Sequence, residues 1–446
     1  MRGSDSRRRS TLGAAILMAG SALAGCSDGP QLPRLGDLNP FAEKEVPLQG
    51  KRIPVALSEN RAGLDVAAAD RPISLPAPTA NDSWAQPGGT AANTPGHLAL
   101  NATVRQIWSG SAGTGSTSYG RLTASPIVID GRVVTLDANA GVTAFSPSGA
   151  VVWRAALVPA NEKGYKGFGG GLAADGGRIF AGTGFGIVHA LDAQSGKKLW
   201  EKNLGSPIRS SPTTSADKVI VVTSEGSAVA LSTTDGTELW RHQGVPEKAA
   251  ILTNASPAIE GDVVVVPYPS GDLVALRTSS GQQVWSESLA RTRLASSLGS
   301  MTDVARPAIS SGTVFAVGHS GRMVATSART GERLWSLNVP GIQAPTVVGE
   351  MVYVVDTSGQ LLAITRREGK VLWNAKLPES TTWSGPVAAG GHLWLTSNKG
   401  LLVSVEASAG KVDGRHSLGD PTYIAPIVAG GRLYVLTDKA RLIAFQ

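Results

Sequence analysis

Residue types that do chemistry are few in this chain, and their spacing suits none of the common reactions. There is one cysteine, Cys26, and there are six histidines, at 97, 189, 242, 319, 392 and 416. The histidines fall in different repeats with no metal-ligand spacing, and His189 and His319 sit beside turn signals that place them at the surface or in turns. A c-type haem needs Cys-x-x-Cys-His, which a single cysteine excludes. Neither a Gly-x-Ser-x-Gly elbow nor a phosphate loop occurs. The stretch Gly167-Phe168-Gly169-Gly170-Gly171 has two readings. Its backbone N–H groups cradle an anion, or it is a close-packed first strand near a central channel, the reading its position favours. No catalytic residue, metal site or cofactor is expected.

The context of Cys26 suggests modification. A basic segment, Arg7-Arg8-Arg9, precedes an uncharged apolar run from Leu12 to Leu23. That run is too short to span a bilayer and reads as a signal peptide over residues 1–25. It ends in Leu23-Ala24-Gly25-Cys26, which resembles the bacterial lipobox, whose thiol receives a diacylglyceryl group. Ser27 follows where Asp would favour retention at the inner membrane, so the resemblance implies an outer-membrane anchor facing the periplasm. The stretch Arg8-Arg9-Ser10-Thr11-Leu12 half-resembles a twin-arginine signal, which leaves the export route open.

Charge adds little. Of the formal +7, Arg2, Arg7, Arg8 and Arg9 against Asp5 give +3 and the remaining chain +4. No basic stripe with interleaved aromatics appears, so nucleic acid is not an expected partner. Residues 26–100 carry recurrent Pro among Ala, Asn and Asp, and read as a mostly disordered tether. Two islands stand out in it, Gly50–Val55 and Trp84 with Gly96–Leu100. The second is expected to pack on the folded part, because an exposed Trp in a flexible tail gains nothing.

From residue 101 the positioning element is a repeat. Gly-x-x-x-Trp occurs at Gly149/Trp153, Gly196/Trp200, Gly236/Trp240, Gly281/Trp285, Gly331/Trp335 and Gly369/Trp373. A second Gly recurs fourteen residues before the Trp, at 186, 226, 271, 321 and 359, with Gly141 two residues closer. Pro at 126, 212, 257, 307 and 345 opens the unit. The Pro suits a strand start where no ladder N–H is lost, and each Gly suits a tight turn with positive φ. Between them lie runs such as Val263–Val266 and Val352–Val355. Four short strands in about 40 residues is the content of a propeller blade. The Trp would be a wedge between neighbouring blades.

Counting the units predicts the closure. A seventh runs from Pro386 to Gly410 with Gly414 in the Trp slot, and an eighth starts at Pro426 and stops at Gln446 before a fourth strand. An orphan strand, Arg105-Gln106-Ile107-Trp108, precedes the first unit. Pairing the two ends gives an all-β, eight-bladed propeller over 101–446 and removes two open sheet edges.

The Trp that closes strand four after a Thr/Ser-Gly turn resembles the quinoprotein-type propeller repeat, and does not resemble WD40. Within that superfamily the lipobox, the Pro-rich tether and the eight blades resemble the BamB family of the outer-membrane β-barrel assembly machinery. The likeness is nearest to alphaproteobacterial members, through Gly50–Ile53, Gly167–Gly171, Val265–Tyr268 and Trp383–Pro386. The resemblance implies a non-catalytic, lipid-anchored scaffold, monomeric within a hetero-complex. Its implied partners are BamA, the barrel-forming subunit, and other complex members. It also implies a contact through two loops, Ala249–Asn254 and Ser300–Arg306, with Ile251, Leu252, Thr253, Asn254, Asp303 and Arg306 as contact residues. The chain departs from the family there: Leu252 stands where Arg is expected, and Ala305 where a second acid is. Two rivals share the repeat. Quinone-dependent dehydrogenases resemble each other in a vicinal cysteine disulfide, a Ca²⁺-binding carboxylate set and wide insertions, for which this chain offers one cysteine and no such insertions. A generic exported protein-binding propeller shares everything except the tether islands and the lipobox.

If Cys26 carries the anchor, acyl chains alone hold the protein on membranes. Each buried CH₂ contributes about 0.8 kcal/mol, so two or three long chains suffice where one does not. Cys26→Ala is expected to move the protein into the soluble fraction or leave it unprocessed. Unchanged sedimentation with membranes would remove the anchor from this residue.

Overall fold

The short apolar runs fold as eight four-stranded antiparallel sheets, each a simple meander. The structure, a computed structural model, describes residues 62–65, 71–117, 120–160, 162, 169–245, 255–289, 304–319, 321–379 and 382–446. Seven blades are contiguous: 127–156, 170–203, 213–243, 258–288, 308–338, 346–376 and 387–417. The eighth takes three strands from 427–445, and Gln106–Ser111 adds its outermost one. The fold is therefore the expected eight-bladed propeller closed by its terminal strands.

Each blade repeats one local solution. The inner strand is short, usually three residues such as Ile127–Ile129 or Ala258–Glu260, and starts just after the marking Pro. The second and third strands are buried on both faces, which explains why Val263–Pro267 and Met351–Val355 read as continuous apolar runs. In every blade the third and fourth strands slip by one residue beside the Trp position, as between Ala230 and Leu231. The bulged residue turns outward: Ile107, Val152, Leu199, Leu239, Val284 and Leu334 are all exposed. Such bulges twist an outer edge away from edge-to-edge pairing. Blade six differs because the chain covers its own rim. The Asp65 N–H donates to Val371 O, Arg71 pairs with Glu368 at 3.0 Å, and Leu372 is buried in a cluster against which Ile73 and Leu75 pack.

Blades are joined by the tryptophans. Each indole Nε1 donates to a carbonyl of the next blade: Trp108 to Pro147, Trp153 to Ala193, Trp200 to Thr233, Trp240 to Thr278, Trp285 to Ala328, Trp335 to Arg366 and Trp373 to Ala407, at 2.8–3.3 Å. The turn glycine of that next blade lies flat on the ring. A Cβ on Gly149, Gly236, Gly281, Gly331, Gly369 or Gly410 would stand 2.6–2.8 Å from the preceding indole, and Gly196 is no roomier. The glycine serves twice, for positive φ and for clearance.

The eighth blade closes by backbone. Gln106 pairs with Phe445 and Ser111 with Arg441, and Arg105 and Gln446 exchange both N–H···O bonds at 2.9–3.0 Å. Trp108 also stacks on Phe145 of blade one, with centroids 6.2 Å apart. Deleting residues 1–111 should therefore leave blade eight three-stranded and cost most of the cooperative melting transition, while a chain starting at Arg71 melts within a few degrees of the full-length protein. Equal melting of the two truncations would mean that the ring closes some other way.

Candidate functional site

Inner strands of a propeller turn one edge toward the channel, and their N–H groups need acceptors there. In this chain the segment 76–100 supplies them. Trp84 exchanges two backbone bonds with Val128 of blade one, at 2.8 and 2.9 Å. The Ala85 carbonyl accepts from Ala174 of blade two, Ala91 from Ile259 of blade four and Ala92 from Ile309 of blade five. On blade three the Gln86 side chain exchanges bonds with the Thr214 backbone. Leu98 donates to Ala388 and accepts from Gly390 on blade seven, and Asn81 accepts from Gly430 on blade eight. At blade six Pro76 approaches Gly349 closely. The segment is a collar hydrogen-bonded to seven blades and packed against the sixth. The sequence reading counted it with the tether. Its order comes from the ring it lines.

Two polar side chains pin the collar. Asn93, buried and at φ 56°, donates from Nδ2 to Pro257 O at 3.2 Å and Pro307 O at 2.9 Å, bridging blades four and five. His97 accepts from the Gly391 N–H at Nε2, so its Nδ1 carries the proton and donates to Pro76 O at 2.7 Å. Neither role had a signal in the sequence beyond the Trp84 and Gly96–Leu100 island.

The collar floors a cavity of about 220 Å³ at the end of the channel where the chain enters the inner strands. Trp84, Pro87, Gly88, Asn93 and Pro95 line it from the collar, and Leu122, Ala255, Ile342, Tyr423 and Ile424 from the entry loops. Tyr423 is half exposed at its rim, with the Arg121 guanidinium 5.9 Å from its ring centroid. Arg306 is the one charged side chain among the described residues of the lining. Its Nε is shut off from solvent and has no partner, and burial pushes its pKa down to about 10. It stays charged at neutral pH.

Of the residues expected to contact a partner, Ile251, Leu252, Thr253, Asn254 and Asp303 lie outside the described residues, as does Cys26. Arg306 faces the cavity. Ala305, where a second acid was expected, is buried and donates its N–H to Val317 O at 2.9 Å. A carboxylate has no room there. The second reading of the glycine stretch holds: Gly170 and Gly171 open the inner strand of blade two, where a Cβ would strike Gly182 O or Ser211 Oγ. His189 corrects the expectation of a surface or turn residue. It lies inside a strand, buried against the sheet, and desolvation lowers its pKa to about 4. Among the described residues no group of three or more His, Cys, Asp or Glu is placed to hold a metal ion.

Comparison with known proteins adds four findings. The sequence profile of the family described as "Outer membrane protein assembly factor BamB" matches residues 138–375 and 367–446. A protein of that name from Shewanella oneidensis is 35% identical over 153 residues, 32% of this chain and 38% of its own. The chain thus spans well under half the length of that relative in alignment. Among solved structures, BamB from Moraxella catarrhalis superposes with a TM-score of 0.66 at 19% identity, covering 77% of this chain and all of that one. A quinohemoprotein alcohol dehydrogenase from Comamonas testosteroni gives 0.68 at 15% identity, covering 85% and 83%. At such identities the superpositions speak for the fold alone.

The collar analysis yields a measurable expectation. Asn93→Ala strands two buried carbonyls and places Ala at positive φ, a loss of roughly 2–4 kcal/mol. The melting temperature should fall, and amide exchange should quicken first on the inner strands of blades four and five. Unchanged exchange there would show that the collar does not hold those blades.

Proposed function

The chain belongs to the family described as outer membrane protein assembly factor BamB, and from that premise we propose that it is a non-catalytic scaffold of outer-membrane β-barrel assembly. It sits at the periplasmic face of the outer membrane, held by lipid on Cys26. It binds the periplasmic region of the barrel-forming subunit as one copy within a hetero-complex. The observation that carries this reading is the extent of the family match, which runs from the third strand of blade one through blades two to seven and the three C-terminal strands of blade eight.

The contact we propose uses the loops that feed the inner strands of blades four and five. Residues 251–254 directly precede Ala255, and Asp303 directly precedes Val304, which bridges to Gly318. Ile251 and Leu252 supply an apolar anchor for a partner strand, and backbone pairing supplies the rest. With Ala305 packed inside, the acidic share of the contact falls to Asp303 alone.

The dehydrogenase reading shares its fold with the Comamonas structure. The cavity does not fit its cofactor. A quinone cofactor bound beside a divalent cation needs several cationic groups and a carboxylate set, whereas the described residues of this lining include Arg306 as their one charge and no Asp or Glu.

The test is capture of the barrel-forming subunit from detergent-solubilised membranes by wild type and by an Ile251→Asp, Asp303→Lys double variant of matched thermal stability. Wild type should retain the subunit and the double variant should lose most of it, about tenfold or more for a buried anchor. Equal capture by both moves the contact elsewhere. No capture by either removes the scaffold reading.

A further inference from the structure

Three other half-buried arginines in this ring have acceptors. Arg178 donates to Thr233 O at 2.8 Å, Arg322 to Ser288 O at 3.4 Å and Arg366 to Ser310 O at 2.6 Å. Arg306 has no acceptor among the described residues for any of its guanidinium nitrogens, its Nε is sealed from water like those of Arg178 and Arg322, and no described acid offsets its desolvation. A guanidinium with no partner in a low-dielectric site is costly, by an amount that a fold does not retain without return. The arginine lines a cavity whose other walls are largely apolar: Trp84, Leu122, Ile342, Tyr423 and Ile424. Gln343 shares the lining. Its Oε1 accepts from the Gly385 N–H at 3.2 Å, which leaves its NH₂ as a second donor.

We propose that this cavity binds a carboxylate carried on an apolar body, with the Arg306 guanidinium on the carboxylate and the apolar walls around the body. A planar guanidinium matches a carboxylate through two parallel N–H···O bonds. One cation balances one negative charge. A phosphate dianion would keep excess charge and leave oxygens without donors in an apolar enclosure, so the lining selects the monoanion. The cavity takes roughly a single side chain with its carboxylate. Two sources share this chemistry, the C-terminal residue of an extended peptide and a free small organic acid. The proposal stands apart from the scaffold reading, since it uses the channel and not the loops.

The experiment uses detergent-solubilised full-length protein and four probes: 3-phenylpropionate, its amide, and an N-acetylated tetrapeptide ending in Phe as the free acid and as the amide. Calorimetry should give saturable one-to-one binding of the acids, with the amides weaker by about tenfold or more for the lost charged bonds. A peptide acid that binds tighter than phenylpropionate assigns the site to chain termini, and the reverse order assigns it to small acids. Arg306→Met should abolish acid binding while the melting temperature holds or rises, because an uncompensated charge has been removed. Arg306→Lys should retain part of the binding. Acids and amides that bind alike, acids that do not bind, or competition by equimolar inorganic phosphate would each overturn the proposal. So would a lower melting temperature for Arg306→Met, which would mean that an acid of the preceding loop already pairs with the guanidinium.

Discussion

Everything in this ring depends on the contact between an indole and the glycine turn of the following blade. A Trp buries a large apolar area, of order 150–250 Å², and its N–H must find an acceptor when it does so. Both needs are met in one place, because the turn that presents the carbonyl also presents the bare Cα. A side chain on that glycine would lift the blade off the ring, and a smaller residue at the Trp would open a void between blades. Neighbours are thus fixed in distance and tilt by a single pair. The pair recurs at seven of the eight junctions.

The irregularities in the repeat follow from the same contact. Blade eight has no turn between its last two strands, since those strands are the two ends of the chain. It has no glycine to present, and a Trp in blade seven would meet nothing suited to it. Gly414 occupies the slot, with Ser404 Oγ pressed where a side chain would begin. The neighbouring bulge position holds Asp413 in place of the apolar residue found in the other blades, bound by Ser404 at 2.6 Å and His392 at 2.7 Å. His416 and Phe445 make ring contact across that junction, at 5.8 Å. The missing Trp therefore marks the closure and does not reflect a decayed repeat.

The blades were legible because each mark has a local cause: Pro before a strand, Gly at positive φ, a β-branched run for a two-sided core. Their joints were less legible. Gly196 and Trp200 sit four residues apart, yet Gly196 packs on Trp153 of the previous unit. Spacing alone suggests the wrong partner. The collar was hidden more deeply. Its bonds go backbone to backbone onto different blades, which leaves no periodicity, and Asn93 or Gln86 looks like any linker residue until the ring surrounds it. Trp84 betrayed it because a large aromatic needs a wall. His189 was misplaced since a nearby glycine turn was visible and the face of its strand was not. Arg306 was read with its loop, but the chain at Val304 and Ala305 has already entered the core, so the next side chain points into the channel.

A fold shared by assembly factors and dehydrogenases leaves function to whatever is placed at the mouth of the channel. Here the collar already bonds the inner strands of seven blades, so an entrant must compete with it to pair with them. What remains for an entrant is side-chain chemistry, and the lining offers apolar surface with one cation. The loops outside are free to vary because the interlock, not the loops, sets the ring. Binding at the mouth thus divides in two physically distinct parts. In the proposed reading, backbone pairing falls to the loops of blades four and five and charge recognition to Arg306 within the cavity. A partner that uses both must bring an extended edge and an anion to the same end of the ring.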